Sequence, residues 1–167
     1  DLLPLQDDLL TFRLMARLQE TNEPALKHYL SQPGDPDLRY YQLAKQLSQV
    51  FEQYLMYRPD WILNWQKGED PVENNPQSWQ ARLWQSLIKQ EPELARVHRA
   101  ALHQRLMSRL SEGITLKQLP ERLSIFGIAS LAPLQLETFR KVAELIKVDI
   151  YFMNPCQHYW GDIVSTK

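Results

Sequence analysis

Glycine and cysteine are scarce in this chain of 167 residues, and their scarcity excludes several kinds of site. Only five glycines occur, and none lies in a GxxxxGK[ST] or GxGxxG pattern, so we expect neither a phosphate-binding loop nor a dinucleotide site. The single cysteine, Cys156, excludes a disulfide within the chain and a cysteine-based zinc site. It also favours a reducing compartment.

Long apolar runs and an excess of charge are missing as well. No stretch approaches the roughly 20 apolar residues that cross a bilayer, and no basic and apolar leader begins the chain. We therefore expect a piece of a cytoplasmic protein that has no membrane partner. The formal net charge is −1, so a nucleic acid would have to be held by a local patch, because the chain as a whole provides no basic field.

Side chains for catalysis or metal binding do not occur in the usual patterns. The chain contains no Asp-x-Lys or Glu-x-Lys of the kind found in metal-dependent nucleases, and no serine stands in a nucleophile elbow. His98 and His103 are five residues apart, on nearly opposite sides of a predicted helix, and make poor co-ligands. We predict no catalytic residue, no metal site and no cofactor.

The longest periodic stretch is LRYYQLAKQLSQVFEQYLMYRPDW, residues 38–61. Its apolar side chains share one arc at 100° per residue, which predicts an amphipathic helix. Pro59 ends this helix near Tyr57 and favours extended geometry at Arg58, so Arg58 lies at a corner. The negative end of the helix dipole is a sufficient structural reason for Arg58. The polar arc is rich in amides, Gln42, Gln46, Gln49 and Gln53. Amides both donate and accept hydrogen bonds, so this row could bind the edges of exposed bases. It could also be an ordinary solvated face.

The remaining pattern predicts a mainly α fold with a C-terminal βαβ segment. Further helices are expected over residues 6–20, 25–30, 76–90 and 92–110, and a short helix with Trp61, Ile62 and Trp65 on its apolar side follows the corner and ends near Gly68. Apolar runs at residues 122–128 and 148–153 predict parallel strands on either side of a helix over 133–145. We divide the chain into a helical part, 1–115, and a partial α/β part, 116–167. Two strands are too few for a stable sheet, so we expect apolar surface on this segment and further strands outside it.

Several stretches, in this order, resemble the RecC family, the gamma subunits of exodeoxyribonuclease V. The strongest are FEQYLMYRPDW, WQARLWQSLI and NPCQHYWGDI, and they are supported by HRAALHQRL and PERLSIFGIASLAP. The resemblance implies a degenerate superfamily 1 helicase-like fold without motor residues. Its helical 1B-like insertion would occupy residues 5–113, and part of its 1A-like α/β domain would begin at Leu119.

The same resemblance implies a function in DNA processing. Members of the family join RecB-like and RecD-like subunits in a heterotrimer, split duplex DNA, and scan one unwound strand of the forked DNA for the Chi recombination signal. The family's strand-recognising positions match, residue by residue, Gln49, Val50, Glu52, Gln53, Arg58 and Arg99. Glu52 replaces a shorter aspartate, Gln49 replaces an acidic residue, and Gln157-His158 replace an Arg-Tyr pair. A different recognition sequence and a weakened recognition both fit these departures.

A second function remains open from the residues alone. In this alternative, the chain is a structural adaptor whose helices and aromatic residues pack on partner subunits without touching DNA. The net charge of −1 fits the adaptor better than a free-standing DNA-binding protein. The arrangement of Gln49, Gln53, Arg58 and Arg99 on the surface is the feature that would separate the two functions.

Overall fold

A computed structural model describes residues 7–69, 78–112 and 120–153. Within these ranges the chain forms eight helices and two strands. They are α1 (Asp7–Glu20), α2 (Pro24–Leu30), α3 (Pro36–Tyr57), α4 (Pro59–Gln66), α5 (Ser78–Gln90), α6 (Leu94–Val97), α7 (Arg99–Ser111), β1 (Arg122–Phe126), α8 (Pro133–Ala143) and β2 (Lys147–Tyr151). The chain divides into two compact units, Asp1–Arg109 and Leu110–Lys167. The predicted boundary at residues 115–116 lies outside the described residues.

Four of the helices begin with proline, and this position has a simple physical cause. Pro24, Pro36, Pro59 and Pro133 are each the first helical residue, where the missing N–H would have had no partner within the helix. At the start of α3 the carboxylate of Asp35 also accepts hydrogen bonds from the backbone N–H groups of residues 37 and 38, at 3.0 and 3.3 Å. The predicted starts of these helices are thus correct to within two residues.

The turn between α2 and α3 is held by one arginine. The Arg39 guanidinium donates hydrogen bonds to the carbonyl oxygens of Leu30, Gln32 and Pro33. Gly34 has a φ of +128°, and a Cβ built there would lie 2.8 Å from Nη2 of Arg39. A side chain at this position would therefore strain the backbone and displace the guanidinium.

The core of the helical unit lies between α1, α3, α4 and α5. Phe51 and Trp84 are fully buried, and their ring centroids are 5.2 Å apart. The apolar arc predicted for α3 is confirmed in its centre, whereas Leu43, Val50 and Tyr54 are only half-buried and Ser48 is buried. The buried apolar residues of this unit are Leu10, Leu14, Leu18, Leu26, Ala44, Leu47, Phe51, Leu55, Ile62, Trp65, Ala81, Leu83, Trp84, Leu87, Leu94, Ala100 and Ala101.

The single helix predicted over residues 92–110 is wrong. The chain forms two helices, α6 and α7, separated by His98, whose φ of −73° and ψ of 158° are extended. Nδ1 of His98 accepts a hydrogen bond from the backbone N–H of Ala101 at 3.1 Å, so this side chain caps the start of α7. The buried imidazole also packs against the Trp84 ring, at 5.8 Å between centroids. The cap is local, whereas the contact with Trp84 comes from the tertiary fold, and together they override a continuous helical periodicity.

The second unit contains the predicted βαβ segment, which is confirmed. Strands β1 and β2 are parallel and pair in the register Arg122↔Lys147 to Phe126↔Tyr151. An ion pair between Arg122 and Asp149, at 2.6 Å, links the two strands. The strands are shorter than predicted and end at Phe126 and Tyr151.

Apolar side chains are exposed on this unit, as expected from its two-stranded sheet. Phe126 stacks on Tyr151 with centroids 4.4 Å apart, and both rings remain exposed. Phe152 and Met153 are exposed as well. Ile125 and Ala132 are buried.

Some predicted features lie outside the described residues. These are most of the polar loop at 69–77, the start of the helix at Asn75 and Pro76, the glycine at 113, and the stretch NPCQHYWGDI with its Cys156.

Candidate nucleic-acid interface

The amide-rich side of α3 lies on the surface. Gln42, Gln46, Gln49 and Gln53 are all exposed. Gln49 and Gln53 are one helical turn apart, about 6 Å along the axis, and neither makes a hydrogen bond within the described part of the chain. Two amides with free donors and acceptors therefore face outward on one stripe of the helix.

Val50 and Glu52 border this stripe on its two sides. Both are half-buried. Glu52 already has an interaction within the protein, so its carboxylate is less available to a ligand than the Gln49 and Gln53 amides. Val50 offers a partly exposed apolar surface beside the amides.

Arg58 lies at the corner between α3 and α4. Its φ of −138° and ψ of 52° are not helical, but they also differ from the extended geometry expected before proline. Its backbone N–H still donates to the carbonyl of Tyr54 at 2.8 Å, and its own carbonyl accepts from the N–H of Trp61 at 3.1 Å. The corner thus ends one helix and begins the next.

The Arg58 guanidinium rests on an aromatic ring. Its Cζ lies 4.8 Å from the centroid of the Trp61 ring, within the range of a cation–π contact. Trp61 is supported in turn by Tyr54 and Trp65, at 5.4 and 6.1 Å between centroids. The Tyr54 hydroxyl donates to the Gln80 side-chain oxygen at 2.9 Å. A guanidinium stacked in this way keeps its N–H edge free for an anion or a base edge.

The role of Trp61 was missed in the sequence, although its i,i+3 spacing from Arg58 was visible there. The spacing of Trp61, Ile62 and Trp65 predicts only that Trp61 lies on the apolar side of a short helix. In the structure Trp61 is half-buried: it packs against the core, and the Arg58 guanidinium lies over its ring.

Arg99 is exposed at the first position of α7. A cation there faces the positive end of the helix dipole, so the dipole gives Arg99 no stabilising role. Its neighbour His98 is 1% exposed, and burial lowers the pKa of that imidazole to about 4. The His98 Nε2 lies against the Gln66 side-chain amide, which ties the start of α7 to the end of α4.

The predicted site residues form two groups in the structure. Gln49, Val50, Glu52 and Gln53 share one side of α3, with Arg58 just beyond its end. Arg99 is on another helix, and no hydrogen bond, ion pair or ring contact joins it to α3 in residues 7–69 and 78–112.

Neither a metal site nor a membrane span occurs in the described ranges. No group of three or more His, Cys, Asp or Glu side chains there is placed to hold a metal ion. Among the same residues, no helix has both the length and the apolar character to cross a bilayer.

Comparison with known proteins identifies the family. The sequence profile described as "RecC, N-terminal domain" matches residues 1–167, the whole of the chain. The chain belongs to the RecC N-terminal domain family. This confirms the resemblance found in the ordered sequence stretches, and it places the amide stripe, the corner and α7 in a RecC N-terminal domain.

Full-length relatives support the same assignment. The chain is 34% identical to the RecBCD enzyme subunit RecC of Haemophilus influenzae. The alignment is 188 residues long and covers 96% of this chain and 17% of that protein. It is 37% identical to the Escherichia coli K12 subunit over 163 residues, or 92% of this chain and 14% of that protein. A Buchnera aphidicola RecC is 29% identical over 138 residues, 75% of the chain and 12% of that protein. The chain thus spans only a small part of the curated relatives that it matches.

Proposed function

We propose that this chain is part of a non-catalytic DNA-binding subunit in a bacterial helicase and nuclease complex for double-strand break repair and homologous recombination. In this function it contacts an unwound single strand of forked DNA and takes part in recognition of the Chi signal. Its partners are RecB-like and RecD-like subunits, as the name RecBCD of the relatives indicates. The helical unit corresponds to a 1B-like insertion and the βαβ unit to part of a 1A-like domain in a helicase-like fold.

One observation carries the proposal: Gln49 and Gln53 are exposed on one stripe of α3, and their amides are unpaired within the described residues. Amide groups of this kind make the hydrogen-bond pairs that distinguish base edges. Arg58 adds a cation held on Trp61, and Arg99 adds a second, exposed cation, which the helix dipole does not stabilise. Guanidinium groups contact phosphates and guanine edges.

The structural adaptor remains the second candidate, and a specific observation favours it. Phe126, Phe152 and Met153 are exposed on the βαβ unit, and apolar surface of this kind is typical of contacts between proteins as well as of a sheet that further strands complete. The two functions use different units of the chain. An adaptor role for the βαβ unit is therefore compatible with a strand-binding role for α3, but an adaptor role alone predicts no effect of Arg58 on DNA recognition.

Replacement of Arg58 tests the strand-binding role. In the full-length protein assembled with its partner subunits, we expect Arg58→Ala to abolish the response to the organism's Chi sequence and to leave the unwinding rate unchanged. The reason is that one good base contact contributes about 1–3 kcal/mol of discrimination, whereas the motor work that drives unwinding is performed by other chains. The measurement compares unwinding rate and signal-dependent product formation on DNA with and without the signal.

Lysine at the same position separates recognition from helix capping. Arg58→Lys keeps the charge but loses the planar fork, so recognition predicts that both variants lose the response. If Arg58 only stabilises the end of α3 through the helix dipole, it contributes about 0.3–1 kcal/mol to stability. In that case lysine, which keeps the charge, restores the response to Chi. Arg96→Ala is the control, since Arg96 is exposed on α6 and pairs only loosely with Glu93, at 3.9 Å. An unchanged Chi response in Arg58→Ala would contradict the proposal.

A further inference from the structure

An exposed tyrosine ends the amide stripe of α3. Tyr57 is the last residue of the helix and is 58% exposed, compared with 41% for Tyr29 on α2. No hydrogen bond or ring contact of Tyr57 occurs in residues 7–69 and 78–112. No polar or ring contact within these ranges therefore accounts for an aromatic residue at this position.

The geometry of α3 places Tyr57 next to the stripe. Tyr57 follows Gln53 by four residues and Gln49 by eight, so the three side chains rise along the helix in steps of about 6 Å. Around the axis, Tyr57 lies about 40° from Gln53 and about 60° from Tyr54, between the two. Tyr54 in turn contacts Trp61, and Trp61 carries Arg58, so Tyr57 is next to the amides and on the side of α3 that turns toward Tyr54.

We propose that Tyr57 is a base-stacking residue of this surface, on which one base of an unwound single strand lies. The inference rests on the proposed function, because it requires a single strand along α3. An exposed aromatic face beside hydrogen-bonding amides and a cation is the combination with which proteins hold unstacked bases. The amides bind base edges, Arg58 binds the backbone or a base edge, and Tyr57 supplies the face on which the adjacent base stacks. Stacking is tolerant of sequence, so Tyr57 contributes affinity and orientation while the amides contribute discrimination.

Removing the bases from the strand gives a test that is specific for stacking. The experiment uses the full-length protein with its partner subunits and two forked DNAs whose single-stranded tails have equal numbers of phosphates. One tail carries thymine bases, and the other is abasic over its central nucleotides. The measured quantity is the ratio of the dissociation constants for the two tails, in which binding by the other subunits to the phosphates cancels.

The variants are Tyr57→Ala, Tyr57→Trp and, as a matched control, Tyr29→Ala. We expect Tyr57→Ala to weaken binding of the thymine tail about 5- to 150-fold, the range for loss of one base–aromatic stack, and to leave binding of the abasic tail unchanged. Tyr57→Trp should retain the wild-type ratio, because indole also stacks on bases. Tyr29→Ala should behave as wild type on both tails. The dependence of affinity on salt should be the same in wild type and Tyr57→Ala, since no phosphate contact is lost.

Three results would overturn the inference while leaving the proposed function intact. The first is an equal loss on both tails in Tyr57→Ala, which would indicate a change in the helix end or in phosphate binding. The second is that Tyr57→Ala binds both tails as tightly as wild type does, in an assay in which wild type prefers the tail with bases. The third is failure of Tyr57→Ala to assemble with the partner subunits, which would make Tyr57 part of a protein interface. The proposed function fails separately if wild type shows no preference for bases and Arg58→Ala keeps its response to Chi.

Discussion

Replacing Phe51 by alanine is expected to lower the free energy of unfolding by about 3–5 kcal/mol, the range for removal of a buried aromatic ring. Phe51 is fully buried on α3, and its ring lies 5.2 Å from Trp84 on α5 and 6.3 Å from Tyr54. Loss of the ring removes apolar burial and leaves a cavity that the surrounding helices refill only in part. Domains are commonly stable by only about 5–15 kcal/mol, so this change removes a large share of the total.

Urea unfolding followed by circular dichroism measures this loss. Phe12→Ala is the matched control, because Phe12 is a phenylalanine on α1 that is 61% exposed. Its replacement should cost less than about 1 kcal/mol, as is usual for exposed positions. Phe51→Leu should fall between the two, since leucine refills part of the space. If Phe51→Ala is no more destabilising than Phe12→Ala, the contact between α3 and α5 does not hold this unit together.

Acid is expected to destabilise the helical unit through His98. Burial lowers the pKa of His98 to about 4 from its ordinary value of 6.5. Between these values the unfolded chain binds a proton that the folded chain does not, so the free energy of unfolding decreases as the pH falls from about 6.5 to about 4. Above pH 6.5 the stability of the folded chain is not reduced by protonation of His98. By pH 4 this protonation has lowered the free energy of unfolding by about 3 kcal/mol.

The contacts of His98 explain why its protonation is unfavourable. Nδ1 accepts a hydrogen bond from the Ala101 N–H, so the proton of the neutral ring is on Nε2, and the adjacent Gln66 amide accepts it only with its oxygen turned toward the ring. A second proton on Nδ1 would displace the Ala101 N–H and remove the cap of α7. It would also place a charge beside Trp84, in the core.

His98→Asn isolates this effect. Asparagine does not titrate and is a favoured capping residue, so its side-chain oxygen can replace Nδ1 at the start of α7. We expect the stability of the variant to decrease less than that of wild type between pH 6.5 and pH 4, by up to about 3 kcal/mol. Unfolding curves at a series of pH values measure the difference. His28→Asn, at an exposed position on α2, serves as the control. Parallel pH profiles for wild type and His98→Asn would show that His98 does not account for acid sensitivity.

Much of the fold was determined by the sequence itself, through interactions between residues close in the chain. Pro24, Pro36 and Pro59 begin helices because a fixed φ and a missing N–H suit the first helical position. The 3.6-residue period of α3 predicted most of its buried side, and two β-rich runs around a helical stretch predicted a parallel βαβ segment. Each of these features depends on a few neighbouring residues, so no knowledge of the tertiary fold was needed.

The sequence by itself determined only part of the candidate site. The amides at Gln49 and Gln53 follow from helical period, since residues four apart on a polar arc must lie on one exposed stripe. The corner at Arg58 follows from Pro59. The stacking of Arg58 on Trp61 could not be predicted, because it depends on the angle between α3 and α4 and on the support of Trp61 by Tyr54 and Trp65.

His98 shows most clearly what only the tertiary structure decided. Residues 92–110 carry a helical period, and the position of His98 contains neither proline nor glycine to interrupt it. The helix is nevertheless broken there, because an extended backbone at this residue lets the imidazole pack on Trp84, reach Gln66 and cap α7. Trp84 and Gln66 lie 14 and 32 positions away along the chain, so part of the energy that breaks the helix comes from contacts that exist only after α4, α5 and α7 have packed together.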